Sequence, residues 1–569
     1  MVRVLEEVTR HDRFQASVGI ERAADDVAAT AEEAGLEEVA IHYWQTDGSP
    51  QWWSFAGPPP WTPESASLSI SSAGRKEVEI SYPADSFAVG TYSCGTSSQG
   101  MTYRLRRASE LEGHPTSEGT MALVEGGYPR EDQLDLLWAH GVRGLACCPD
   151  WPTGPIDRLR RRIELPFGSR MFAFSLSTEE MRRLSAIDSE MEAHARLAIR
   201  RSGRMPVVTG LLRGRTADEL LVLSHLCHPR PSANDNGSGV AASLAIASCL
   251  SDPSAERRCS VRFIWGPEFV GTVAYLHDLV QSGVHSRPVE AINLDVVGQE
   301  EASLRLEHPP AHLAALLPAV VERCLASPEW ETNARGKVTA PWEPAPFTGT
   351  SDHAVLVDHS IGVPATHIGQ VPDHFNHSSG DSCDRIDMRP LRLASVSVAA
   401  AIETLSQGPE PGELARWLHE SAVRRGRQSR SNDDHYLQEG LRRSLAAIPA
   451  TGASAQGRPG SLPASRPHDG GRDGGGRTLR PAWEGPFNLR SMLQRVPRPT
   501  RDALYSLLPS DRRESYTVML CLALEISSGR PPETVRERAS SLSGLEIGPD
   551  LAETFFDALC AADWAYPDC

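Results

Sequence analysis

The sequence predicts an α/β protein whose core is a doubly wound sheet. Three observations carry that reading. Five apolar runs of strand length (residues 207–212, 220–223, 261–265, 291–295 and 365–368) alternate with helix-length stretches across 200–405. Acids and histidines recur just past those runs, where an open α/β sheet presents ligands at the carboxyl ends of its strands. The stretch 220–250, LLVLSHLCHPRPSANDNGSGVAASLAIASCL, reads as a buried strand, a polar loop and a small-residue helix. Gly237 and Gly239 let the chain turn tightly at the helix entry.

Taken in order, residues 20–34 predict an amphipathic helix and 39–44 a strand, with WWSFAGPPPW as a turn-heavy boundary after it. From about 63 to 199 short β runs dominate, and MALVEGG, the helix 130–140 and GVRGLA form a strand-helix-strand unit. Residues 1–62 and 200–408 are expected to make the main domain, with 63–199 inserted into it. Residues 409–450 should be a helical extension. The stretch 451–483 holds Gly, Pro, Ser and Arg with few apolar side chains, which predicts an unstructured linker.

Residues 484–569 form the last expected unit. Within it, helices over 516–525, 532–541 and 549–562 and a short WAY strand give a winged-helix-like pattern. Counted over 514–569 it carries three arginines against ten acids, a surface that repels phosphates. A packing or homo-oligomerisation role fits that charge better than DNA reading.

At 569 residues the chain is too long for one core. Its 57 basic and 74 acidic side chains leave a net charge of −17, which disfavours nucleic-acid partners. No apolar run reaches the ~18 residues that span a bilayer, so no membrane partner is expected. The charged N-terminus lacks the apolar core of a signal peptide. The eleven cysteines have no CxxC pair and suit reduced thiols, so the expected location is cytoplasmic.

Four stretches carry the chemistry. SHLCHPRPSANDN holds His225 and Asp235, VRFIWGPEFVGT holds Glu268, AINLDVVGQ ends on a strand-end Asp295, and FNHSSGDSCDRID holds His377. Singly, each is a helix cap or a surface residue. Together, imidazoles and carboxylates on one sheet edge are the ligands of a catalytic zinc. Such an ion lowers the pKa of a water and polarises a carbonyl, while a nearby carboxylate shuttles the proton.

In this order the residues resemble the zinc aminopeptidase family that includes bacterial leucyl aminopeptidases, glutamate carboxypeptidases and glutaminyl cyclases. The likeness covers about 200–405 and the first helix and strand, and 63–199 is similar to a protease-associated insert. HLCHP, GPEFVGTVAYL and the C-terminal pattern resemble an aminopeptidase-like branch. The resemblance implies a zinc-exopeptidase-like fold with His225, Asp235, Asp295 and His377 as ligands of one or two zinc ions. Asp235 would bridge if two bind, and the Asp235–Asn236 peptide would be cis.

Two departures stand out. The family's acidic pair is Glu268 followed by Phe269, so Glu268 is the general base on one alignment and a metal ligand on the other. The acid two residues after the first His is Cys227, and His228 stands beside His225 as an alternative ligand. Asp352, in GTSDHAVL, matches the segment that lines the family's pocket and is expected to bind substrate. The expected activity is aminopeptidase-like hydrolysis of a peptide or aminoacyl small molecule. The alternatives are glutaminyl cyclase-like acyl transfer, small-molecule amide hydrolysis, and a peptidase fold kept only for binding.

Overall fold

The computed structural model describes residues 1–111, 119–125, 127, 129, 131–151, 156–252, 254–283, 287–327, 340–428, 434–448, 478–526 and 530–567. An eight-stranded mixed sheet forms the centre. Edge to edge it runs Glu37–Trp44, Met205–Leu212, Ser260–Gly266, Asp218–His225, Arg287–Leu294, Ala365–Val371, Ser303–Glu307 and Trp342–Ala345. The middle four strands are parallel, so their carboxyl ends share one side. After Asp218–His225 the chain goes first to one neighbour, Ser260–Gly266, and then to the other, Arg287–Leu294. That reversal opens a crevice at the end of Asp218–His225, the usual place for a ligand in such sheets.

The five expected runs all lie in this sheet. Asp218–His225 is buried along its whole length, and its leucines alternate between two cores. Leu221 and Leu223 join one apolar cluster, Leu220 and Val222 the other. Helices Val18–Glu33, Gly239–Leu250 and Met388–Gln407 cover one face of the sheet. Val270–Ser282 and His353–Val357 cover the opposite face.

A second sheet of seven strands, from Thr62–Ser72 to Met191–Arg200, closes its own core around Trp61, Phe172 and Phe174. It contains the expected strand-helix-strand unit as Thr120–Val124, Glu131–Ala139 and Val142–Cys147, with the two strands parallel.

The C-terminal helices Arg512–Ile526, Pro532–Ser543 and Pro549–Ala561 do not stand apart. Val518, Leu520 and Phe555 share one apolar cluster with Leu221, Val273 and Val355 of the central unit. The expected linker reached to 483, but Leu479–Pro481 is a strand, antiparallel to Ala565–Pro567. Its backbone pairing outweighs the polar composition there, and 451–477 lies outside the described residues. Among the described residues no helix is long and apolar enough to cross a membrane, and all ten described cysteines are free.

Candidate metal centre

The loop after Asp218–His225 is held from three directions. Fully buried Arg13 pairs its backbone with His228, N–H to carbonyl at 3.0 and 2.8 Å. Its guanidinium donates to the carbonyls of Leu226 (2.8 Å), Val8 (2.8 Å) and Ser232 (3.1 Å). Asp381 accepts the N–H groups of Asn234 and Asp235 at 2.6 and 2.9 Å. Burial, with Asp373 next, pushes the Asp381 carboxyl up to about 8. Gly239 then starts its helix hard against the strand Arg287–Leu294, where a Cβ would stand 2.2 Å from the Leu294 carbonyl oxygen. The Asp235–Asn236 peptide is cis.

These supports bring the expected ligands together around Asp235. His225 Nε2 lies 3.2 Å from Asp235 Oδ1 and 3.1 Å from Asp295 Oδ1. His377 Nε2 lies 3.0 Å from Asp235 Oδ2. Ligand atoms on a tetrahedral zinc, at about 2.0–2.1 Å from the ion, are separated by roughly 3.3 Å. The donor set therefore fits zinc in both identity and spacing. Each carboxylate is kept ionised despite burial: His228 and His377 hold Asp235 well below the usual range, and His225 lowers Asp295.

Glu268 follows Ser260–Gly266, half-buried, near enough to His225 and Asp295 for their charges to act on it. Burial, then Asp295, pushes it up to about 8 against the pull of His225 and His228. Its turn is pinned twice: its own N–H donates to Cys227 Sγ at 3.2 Å, and the next N–H, of Phe269, to Asp352 Oδ1 at 2.8 Å. Phe269 turns its ring into the apolar cluster shared with the C-terminal helices and brings no carboxylate to the centre.

Cys227 also lies 3.8 Å from His225 Nδ1, the position of an orienting partner for a ligand imidazole. Burial opposes its ionisation, yet His228 and His225 hold the thiol down at about 5. Asp352 is 2% exposed and spends one oxygen on Phe269 and Thr272. Burial pushes its carboxyl up to about 6.

Sequence reasoning gave His228 only as a competitor of His225, whereas the structure holds both at Asp235 Oδ1, His228 Nε2 at 3.3 Å. It gave no sign of Arg162, which arrives from the inserted unit. The Arg162 N–H donates to the His377 carbonyl at 2.8 Å, and Nη1 lies 3.1 Å from His228 Nδ1. Non-glycine residues with positive φ ring the centre: His228 (126°), Ser232 (40°), Phe269 (56°), Val296 (59°) and His377 (52°). Such conformations cost roughly 1–3 kcal/mol each and cluster where function needs them.

Three solved structures share this architecture. BSAP, a zinc aminopeptidase from Bacillus subtilis, is 17% identical, with a TM-score of 0.50 over 71% of this chain and 94% of its own. The chain has a zinc-aminopeptidase fold. An M28 peptidase precursor from Shewanella amazonensis is 16% identical, with a TM-score of 0.51 over 71% of this chain and 91% of its own. A candidate peptidase from Clostridium acetobutylicum is 14% identical, with a TM-score of 0.51, and matches 100% of this chain and 96% of its own. A domain of unknown function (DUF4910) matches residues 97–308. No curated protein matches the chain.

Proposed function

We propose that the protein is a zinc-dependent exopeptidase of the aminopeptidase type. It would act on a peptide or an aminoacyl small molecule in a reducing, cytoplasmic setting. The observation that carries this reading is the convergence of His225 and His377 on the two oxygens of one buried carboxylate, Asp235, with Asp295 against the same His225 nitrogen and Glu268 beside them. Those four ligands would hold one or two zinc ions. When bound, zinc supplies a Lewis acid for the scissile carbonyl and acidifies a water.

The chain's own residues do the rest. Glu268 would take the proton of the attacking water and return it to the leaving nitrogen, the usual work of a general base placed beside a metal-bound water. Cys227 and Asp352 fix the turn that presents it. Cys227 and Asp381 orient His225 and the Asp235 loop, so that little reorganisation is needed at the reacting atoms.

The test is metal analysis of purified protein, coupled to a panel of aminoacyl-anilides and dipeptides before and after chelation. Bound zinc is expected, with hydrolysis that chelation abolishes and added zinc restores. Hydrolysis unaffected by complete removal of metal would reject the reading.

A further inference from the structure

A cavity of about 40 Å³ lies between the segment after the strand Ser303–Glu307 and two helices, Pro411–Gln428 and Asp434–Ala447. No residue of the metal centre lines it. Its volume is roughly three times the ~10–15 Å³ that lodges one water. Pro318, Ala319, Leu418 and Leu441 give it apolar walls, and the polar side chains that enter are His308, Ser421, Arg425 and Ser444.

Two of these polar groups are already spent. His308 Nε2 lies 2.7 Å from the buried Glu322 carboxylate, and the Ser421 hydroxyl donates to the same oxygen at 3.0 Å. Arg424 Nε takes the other oxygen at 2.7 Å, so Glu322 is satisfied on both sides. The half-buried Arg425 is left over: among the described residues nothing accepts a hydrogen bond from its guanidinium. Its charge is nonetheless felt inside the wall. His308 is 5% exposed, and burial, then Arg425, hold its imidazole down at about 4. The Ser444 oxygen accepts the Ala315 N–H at 3.1 Å, which leaves its own O–H to donate. A guanidinium taken out of water without a counter-charge is costly. The closing carbonyls of the helix Pro411–Gln428 attract Arg425 in its last turn, but only weakly, and they attract Arg427 as well.

We propose that this cavity binds a small alkyl carboxylate, of the size of acetate or propionate, with its oxygens on Arg425 and Ser444 and its alkyl end against Pro318, Ala319 and Leu418. Two donor groups meet two oxygens, and the planar guanidinium suits a carboxylate. An amino acid fits less well. Its ammonium group needs an acceptor, and the carboxylate at hand, Glu322, is taken by three donors. Inorganic phosphate also fits less well, since it carries more charge and more oxygens than two donors satisfy and has no apolar end for the walls. The site is independent of zinc and of the chemistry at Glu268.

The experiment follows the melting temperature of full-length protein in sodium acetate and sodium propionate, with sodium chloride at matched ionic strength as the baseline. Glycine and inorganic phosphate are run as further arms. A ligand that binds the folded state alone raises the melting temperature with its concentration. Wild type is expected to rise with acetate and propionate above the chloride baseline, and less with glycine or phosphate. Arg425→Met keeps the apolar stem and removes the charge; it should lose the carboxylate response, and without carboxylate it should melt no lower than wild type. Ala422→Leu fills the cavity from the same helix and leaves Arg425 in place, and it should weaken the response at least about tenfold in concentration. That variant decides the matter if Arg425→Met does not fold. A wild-type response no larger than that to chloride would overturn the proposal. So would an undiminished response in either folded variant, or one to glycine or phosphate that equals the response to acetate.

Discussion

Asp352 Oδ1 accepts the Phe269 N–H at 2.8 Å and, with the same oxygen, the Thr272 hydroxyl at 2.8 Å. One buried carboxylate thus fixes the left-handed turn, φ 56° at Phe269, that holds Glu268 at the centre. The segment carrying Asp352 is in turn pressed by the C-terminal helices. Thr517 donates to the Thr348 carbonyl at 2.9 Å, and the Phe347 N–H donates to the Leu542 carbonyl at 3.0 Å.

Replacing Asp352 by Ala should therefore act through Glu268 and not through the metal. Two buried hydrogen bonds to a charged acceptor are lost, each of the kind that contributes about 1.5–3 kcal/mol. Turnover is expected to fall about 10–100-fold with zinc content unchanged. A matched fall in zinc content would show that Asp352 supports the ligands instead.

Removal of 484–569 should likewise reach the chemistry, because those helices back the segment 347–353. The truncated protein is expected to lose both melting temperature and turnover. Full turnover in a truncated protein that stays folded would show the helices to be dispensable to the centre.

Arg13 should behave as a structural clamp. Arg13→Met removes the side-chain donor of the Leu226 carbonyl and one donor each from the carbonyls of Val8 and Ser232, which keep the N–H groups of His11 (3.4 Å) and Gly237 (3.3 Å); a buried group left unpaired costs about 1–3 kcal/mol. A loss of about 1–3 kcal/mol is expected from denaturant unfolding, with weaker zinc retention in the surviving fold. A change within 0.5 kcal/mol, roughly the size of a neutral surface substitution, would contradict this.

Acid should loosen the C-terminal packing through Glu439. Burial opposes its ionisation, but Arg538 above all, then Arg530 and Arg443, hold its carboxyl down at about 2. A depressed carboxylate contributes stability that is present above its unfolded value, near 4.3. That stability is lost as pH falls toward 2. The melting temperature of wild type should drop over that interval, and Glu439→Gln should be less stable at neutral pH with a smaller further drop. Parallel pH profiles for the two proteins would refute the assignment.

Much of this was legible in the chain. The strand runs around Leu220, Val261 and Ala291 are mostly apolar, with Arg262 and Asn293 as the exceptions, and each is followed by a polar residue at the crevice, so strand ends and ligands could be read together. Met191–Arg200 alternates buried and exposed positions almost without fault, but its MEAHARLAIR pattern gives a weak strand signal because small alanines carry much of its buried face. His228 was readable as a donor but not as a partner of His377, since a φ of 126° turns its ring by an amount no local pattern encodes. Arg162 could not be read at all. It reaches the centre through an isolated backbone bridge between two loops, a contact spanning 215 positions of sequence from His377. The strand Leu479–Pro481 was hidden for a similar reason: its partner lies at the far C-terminus.

The most direct measurement is zinc content and turnover of Glu268→Gln on one preparation. The amide is nearly isosteric with the carboxylate but cannot accept a proton, and general acid–base steps contribute ~10²–10⁴-fold. Turnover is expected to fall by about that factor while zinc content stays at the wild-type value. Zinc lost in step with turnover, and partial rescue by added zinc, would instead make Glu268 a ligand and contradict its place as the base.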